Sequence, residues 1–165
     1  MRLIREWWIY FRTLVITLKD PERMSLAERN KTIKLITRLG KIEGFPMRFS
    51  LKLPFTLENI RQIPRSTRGV YRFIHNERII YIGASCTSIR KRLKLRYGKI
   101  QDLERADSIK LAEIYKTGDL QFAWKATPFP GWIEQLLLAE YKEKNGSLPE
   151  CNSQGRSNIL IKCLY

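Results

Sequence analysis

Residues 69–83, GVYRFIHNERIIYIG, hold two short apolar-aromatic runs, each tied to a glycine and each carrying a tyrosine. Runs rich in Val, Ile, Phe and Tyr on either side of a polar stretch are expected to form the two arms of a β-hairpin. Tyr71 and Tyr81 share one face of that hairpin only if the pairing register between them is even. A three-residue loop, His75-Asn76-Glu77, sets Tyr71 directly across from Tyr81, whereas a two-residue Asn76-Glu77 turn puts them on opposite faces. The odd-length loop, or a bulge with the same result, is expected.

Before this hairpin the pattern is mainly helical. SLAERNKTIKLITRLG opens with a capping box, Ser25 and Glu28, and stops at Gly40. MRFSLKL then reads as a strand, and TLENIRQIP as a short helix capped by Thr56 and ended before Pro64. After the hairpin comes a basic helix, SIRKRLKLRYG, with Ile89, Leu93 and Tyr97 as its buried stripe and Gly98 as its stop. A further helical stretch, DLERADSIKLAEIYKTG, leads to a third strand, LQFAWKA. GWIEQLLLAEYKEKNG is the clearest helix, with Ile133, Leu137 and Tyr141 on one face, and NILIKCLY reads as a last strand. The expected class is α+β, a small antiparallel three-stranded sheet flanked by helices. Residues 1–60 form a mixed, mainly helical extension to the domain at 61–165.

At 165 residues with 44% hydrophobic content, the chain can bury a real core. Its charge is less ordinary: 31 Lys+Arg against 16 Asp+Glu give a formal +15. Self-repulsion on that scale is relieved by a polyanion through counterion release, so nucleic acid is the leading partner class. Three scattered cysteines, with one histidine for company, argue against a disulfide framework or a zinc site. The N-terminal MRLIREWWIYFRTLVITLK is apolar, but Arg2, Arg5, Glu6 and Arg12 interrupt it too often for a membrane span. No membrane partner and a cytoplasmic location are expected.

Two features could carry chemistry. Between Thr87 and Lys99 stand six cations (Arg90, Lys91, Arg92, Lys94, Arg96 and Lys99) and no acid. Such a run is either a solvated helix face or a phosphate-contacting surface, and its place after a glycine-terminated strand favours phosphate. Glu134 sits at the start of the clearest helix, where the helix dipole alone favours a carboxylate. Its apolar neighbours Ile133, Leu136, Leu137 and Leu138 offer a second reading, a carboxylate held for a hard cation such as Mg²⁺. Cys86 lacks a nearby base and is not expected to be a nucleophile.

Taken in order, GVY, YIG ten residues on, Arg92 in IRKRL, Glu134 in IEQLLLAEY and Asn152 in PECN resemble the GIY-YIG nuclease superfamily, from about Ile63 to Asn152. Val70 stands where the first motif usually has isoleucine. The resemblance implies a Mg²⁺-dependent DNA endonuclease, with Mn²⁺ an alternative ion. It implies Tyr71 as general base or water-positioning group, Tyr81 hydrogen-bonding beside it, and Arg92 on the scissile phosphate. It further implies Glu134 as the ligand of a single metal ion and Asn152 as an orienting group. Arg90, Lys91, Lys94, Arg96 and Lys99 are then expected to contact nucleic acid. One turn after Arg92, where the family often has His or Tyr, stands Arg96, with Tyr97 just beyond. A tyrosine is about a thousandth ionised at pH 7, so a base role needs roughly 4 kcal/mol of help for the phenolate from nearby positive charge.

The compact chain, lacking long added DNA-binding modules, resembles the restriction or defence branch. Its extension would supply DNA contacts or a homodimer interface. A non-catalytic nucleic-acid-binding module of the same fold, and a phosphodiesterase acting on RNA or on branched or damaged DNA, are the alternatives.

Overall fold

The computed structural model describes residues 48–152 apart from 102–108 and 128, together with Ser25, Ala27, Glu28 and Lys31. Along 48–152 the elements run β1 (Leu53–Pro54), α1 (Leu57–Gln62), β2 (Gly69–His75), β3 (Arg78–Ser85), α2 (Ile89–Gln101), α3 (Ile109–Lys116), β4 (Gln121–Ala126) and α4 (Pro130–Asn145). The class is α+β, as expected. The sheet, however, has four antiparallel strands in the order β1-β4-β2-β3 rather than three. The extra strand comes from MRFSLKL, but only its end pairs in register. Leu53 lies opposite Phe122 on β4, and nearby the Ser50 amide donates to the Trp124 carbonyl at 2.7 Å. The amphipathic N-terminal segment and the NILIKCLY strand lie outside the described residues.

Alternation along the strands gives the sheet two covered faces. Tyr71, Phe73 and Phe122 point to one, where Phe55, Ile60, Ile89 and Leu93 join them in the main core beneath α1, α2 and α3. Val70 points to the other and packs against Ile133 and Leu136 of α4. Phe55 and Ile60, read from sequence as part of the extension, are thus packed into the same core as Tyr71.

Local signals explain several boundaries. Thr56 caps α1, its hydroxyl accepting from the Asn59 amide at 3.2 Å. The capping box is made in both directions: the Ser25 amide donates to the Glu28 carboxylate at 2.8 Å and the Glu28 amide to the Ser25 hydroxyl at 3.3 Å. Gly146 ends α4 in the left-handed region, at φ 76°.

Gly98 does not end the basic helix, which continues to Gln101. A mid-helix glycine costs about 1 kcal/mol relative to alanine, while burying an isoleucine stabilises by roughly 1.5–3 kcal/mol. Ile100 is buried, and that burial carries the helix past the glycine. α4 also differs from expectation, because Pro130 begins it and its first turns are buried almost all round, while Leu137 and Tyr141 are only half-buried.

Candidate active site

The hairpin reaches the expected face-sharing by a different route. Its turn is two residues long, since His75 pairs with Arg78, and both Asn76 (φ 46°) and Glu77 (φ 62°) are left-handed. Such a turn matches the twist of the flanking strands. Ile74 pairs with Ile79 but Phe73 pairs with Tyr81, so a bulge leaves Ile80 over and shifts the register by one. Tyr71 consequently lies opposite Gly83 and diagonal to Tyr81, not directly across from it. Both tyrosines are on one face, and their rings stack 6.0 Å apart at 29°.

Each motif glycine clears space for this arrangement. A Cβ on Gly83 would lie 2.6 Å from the Tyr81 ring and 2.9 Å from the Tyr71 hydroxyl. On Gly69 it would lie 2.1 Å from the Lys125 carbonyl oxygen of the neighbouring strand. The two glycines are required by close approach.

The arginine at the tyrosines is Arg96. Its Nε donates to the Tyr71 hydroxyl at 3.0 Å, a terminal nitrogen donates to the Tyr81 hydroxyl, and its guanidinium carbon lies 4.3 Å over the Tyr81 ring. Arg92, expected on the scissile phosphate, is exposed on the solvent side of α2 and does not bond the tyrosines. The buried residues of α2 are Ile89, Leu93, Arg96 and Ile100, a spacing of four, three and four that keeps one face turned inward. Arg92 is one position off that stripe. For the same reason Arg96, expected among the nucleic-acid contacts, is buried beside the tyrosines. Tyr97 flanks the stripe, half-buried, and receives a hydrogen bond from the Tyr115 hydroxyl at 3.1 Å.

Glu134 acts on the group through its charge. It is only 4% exposed, and its negative charge helps hold the Tyr81 pKa above the ordinary tyrosine value. Burial is the largest cause of that rise, the Tyr71 neighbour adds to it, and the positive charge of Arg96 opposes it. Glu134 is the fifth residue of α4, beyond the first turn, so a favourable helix dipole does not account for its place.

Asn152 stands apart from the hydroxyls and holds the strand that carries one of them. Its side-chain oxygen accepts from the Ile82 amide and its side-chain nitrogen donates to the Ile82 carbonyl, both at 2.9 Å. Beside it the Cys151 amide donates to the carbonyl of the bulged Ile80 at 2.9 Å. These bonds satisfy the open edge of β3 next to Tyr81. Cys86 is disulfide-bonded, whereas Cys151 takes no part in a disulfide.

Outside this cluster, Arg90, Lys91 and Lys94 line a groove of about 460 Å³ with Arg65, Ser88 and Leu95. Lys91, Arg92 and Lys99 are exposed. Arg65, from the loop before β2, adds a cation to the groove that the residue pattern does not single out. Arg96 could have been found from the four-three-four spacing of Ile89, Leu93, Arg96 and Ile100, had the stripe not been continued by fours to Tyr97. No family model, curated protein or solved structure matches this chain.

Among the described residues no three His, Cys, Asp or Glu side chains gather to cage a metal ion. The donors at hand are one buried carboxylate, Glu134, and the oxygens of Tyr71 and Tyr81. All are hard oxygen donors, a set that fits Mg²⁺ or Mn²⁺ keeping most of its waters and does not fit a thiolate- or imidazole-bound ion.

Proposed function

We propose that this chain is a metal-dependent DNA endonuclease of the GIY-YIG type that hydrolyses phosphodiester bonds, with Tyr71, Tyr81, Arg96 and Glu134 at its centre. The observation carrying this reading is that one guanidinium joins two tyrosine hydroxyls on one sheet face, with a buried carboxylate bearing on the second. Structural tyrosines fill cores without needing a buried cation and a buried anion beside them, and burying both charges is costly unless they are used or well paired.

Each residue then has a task in terms of charge and protons. Arg96, permanently charged, opposes the rise in the Tyr81 pKa and presents a planar fork suited to two phosphoryl oxygens. Tyr71 accepts the proton of the attacking water. Tyr81, held above the ordinary tyrosine pKa, stays protonated and keeps its hydroxyl as a fixed hydrogen-bond partner. Glu134 would hold the divalent ion, which when bound supplies charge neutralisation at the phosphoryl and leaving oxygens. Asn152 positions Tyr81 through the Ile82 backbone. The groove cations Arg65, Arg90, Lys91 and Lys94 grip backbone phosphate without reading sequence.

In this structure the cluster is closed, with Tyr71 fully buried and Arg96 5% exposed. A substrate phosphate must therefore displace a tyrosine from the guanidinium as it enters. That closure favours a second reading, a nucleic-acid-binding module of the same fold that does not cut. Incubating supercoiled plasmid with the protein, with Mg²⁺ or with chelator, separates the two. Metal-dependent nicking lost in Glu134→Ala and Tyr71→Phe supports the nuclease. Tight, salt-sensitive binding with no cutting supports the module. Restriction or defence, a homodimer and a cytoplasmic setting remain parts of the proposal. Among the described residues no helix is long and apolar enough to cross a membrane.

A further inference from the structure

On the sheet face away from the tyrosines, two cations stand side by side. Arg72 lies across from Ala123 on β4, and Lys125 lies across from Val70, which makes Arg72 and Lys125 diagonal neighbours on one face. Val70, between them in register, packs under α4, so this face is the one α4 partly covers. Diagonal neighbours in an antiparallel pair have Cβ atoms roughly 7 Å apart, within reach of long side chains.

Both residues are half-buried, and among the described residues neither takes part in an ion pair. The Arg72 guanidinium rests 4.3 Å over the Phe49 ring, and its Nε–H is buried with no acceptor. Burial lowers the pKa of each cation from its usual value. Two partly desolvated like charges, one of them with a buried donor that has no acceptor, are an unfavourable arrangement on their own. An oxyanion between them supplies the missing acceptor and an opposing charge, and Arg72, braced on an aromatic ring, has its fork already oriented.

We infer that Arg72 and Lys125 form a phosphate-binding subsite on the α4 face of the sheet, separate from the tyrosine cluster. Its occupant is a phosphate group, either free or carried on a nucleic-acid backbone. The inference does not rest on the nuclease reading, because Arg72 and Lys125 lie on the sheet face opposite Tyr71 and Tyr81 and binding is read without cutting.

The test titrates ¹⁵N-labelled protein at constant ionic strength, with inorganic phosphate in one arm and a short DNA duplex in the other. The Arg72 Nε–H resonance should shift and saturate with at least one of them. Affinity for that same ligand should weaken at least tenfold in Arg72→Gln and in Lys125→Gln, and less in Arg72→Lys. Lys142→Gln, an exposed cation on α4, should leave it unchanged. Response to phosphate identifies a free anion as sufficient, while response to duplex alone identifies a backbone phosphate. Lys125→Gln, checked by its amide fingerprint, keeps the test valid if Arg72→Gln fails to fold. Affinity for both ligands unchanged in a folded Lys125→Gln, or an Arg72 resonance that never saturates, would overturn the inference.

Discussion

The buried Tyr71 and the part-buried Tyr81 share one guanidinium, so removing Arg96 takes a hydrogen-bond donor from both hydroxyls. Each buried polar group left unsatisfied costs about 1–3 kcal/mol, and Arg96→Met should therefore lower unfolding free energy in urea by at least about 2 kcal/mol. Arg92→Ala, on the exposed side of the same helix, should stay within about 0.5 kcal/mol of the parent. Gly83→Ala has a different cause but a similar sign. Its methyl enters the space of both tyrosine rings, and overpacking of this kind costs roughly 1–3 kcal/mol. Tyr81 adds a pH signature. Its folded-state pKa is raised by burial, with Tyr71 and Glu134 adding and Arg96 opposing, so as pH rises the unfolded chain releases this proton first. The stability it contributes is complete below about pH 10 and is lost as pH climbs from there through the folded-state value. Urea melts between about pH 9 and 11 should show a shallower decline for Tyr81→Phe than for the parent.

At the scale of elements, the hairpin and α2 show what the sequence makes legible. The two strands, the polar turn and the basic helix are each visible in residue pattern and turn chemistry. The bulge is not, because it arises where the Asn76-Glu77 turn forces one register and the packing of Tyr71 over Gly83 requires another. An apolar stripe read at intervals of four drifts off a helix with 3.6 residues per turn, which is why Tyr97 was expected where Arg96 lies. An arginine in a buried stripe also runs against composition-based expectation, since charged residues are seldom buried unless partnered. The turn itself yields a prediction: Glu77 holds a left-handed backbone that suits glycine better. Glu77→Gly gives up an exposed ion pair with Lys52, worth little, and should leave the thermal midpoint unchanged or a few degrees higher. Asn152→Leu removes two bonds to Ile82 and should speed hydrogen exchange at the Ile82 amide at least tenfold.

Across the whole molecule, the +15 charge says that a polyanion is a fitting partner, and the groove lined by Arg65, Arg90, Lys91 and Lys94 is a place for its backbone. The α+β class was readable from the succession of strand and helix patterns. The place of MRFSLKL in the sheet was not, because only its end, Leu53–Pro54, pairs with β4 and that pairing leaves no mark in the residue pattern. A cation that neutralises one phosphate of duplex DNA adds about 0.9 to the slope of log affinity against log salt, so Lys94→Gln should reduce that slope by roughly one. The central claim is that Arg96, and not Arg92, works with Tyr71, Tyr81 and Glu134. Its most direct measurement is the Mg²⁺-dependent plasmid-nicking rate of Arg96→Lys beside Arg92→Ala, each first confirmed as folded by its amide fingerprint. Arg96→Lys should lose at least a hundredfold in rate, equivalent to about 2.7 kcal/mol of transition-state stabilisation, and Arg92→Ala should stay within about threefold of the parent. Loss of nicking in Arg92→Ala with full activity in Arg96→Lys would contradict the claim.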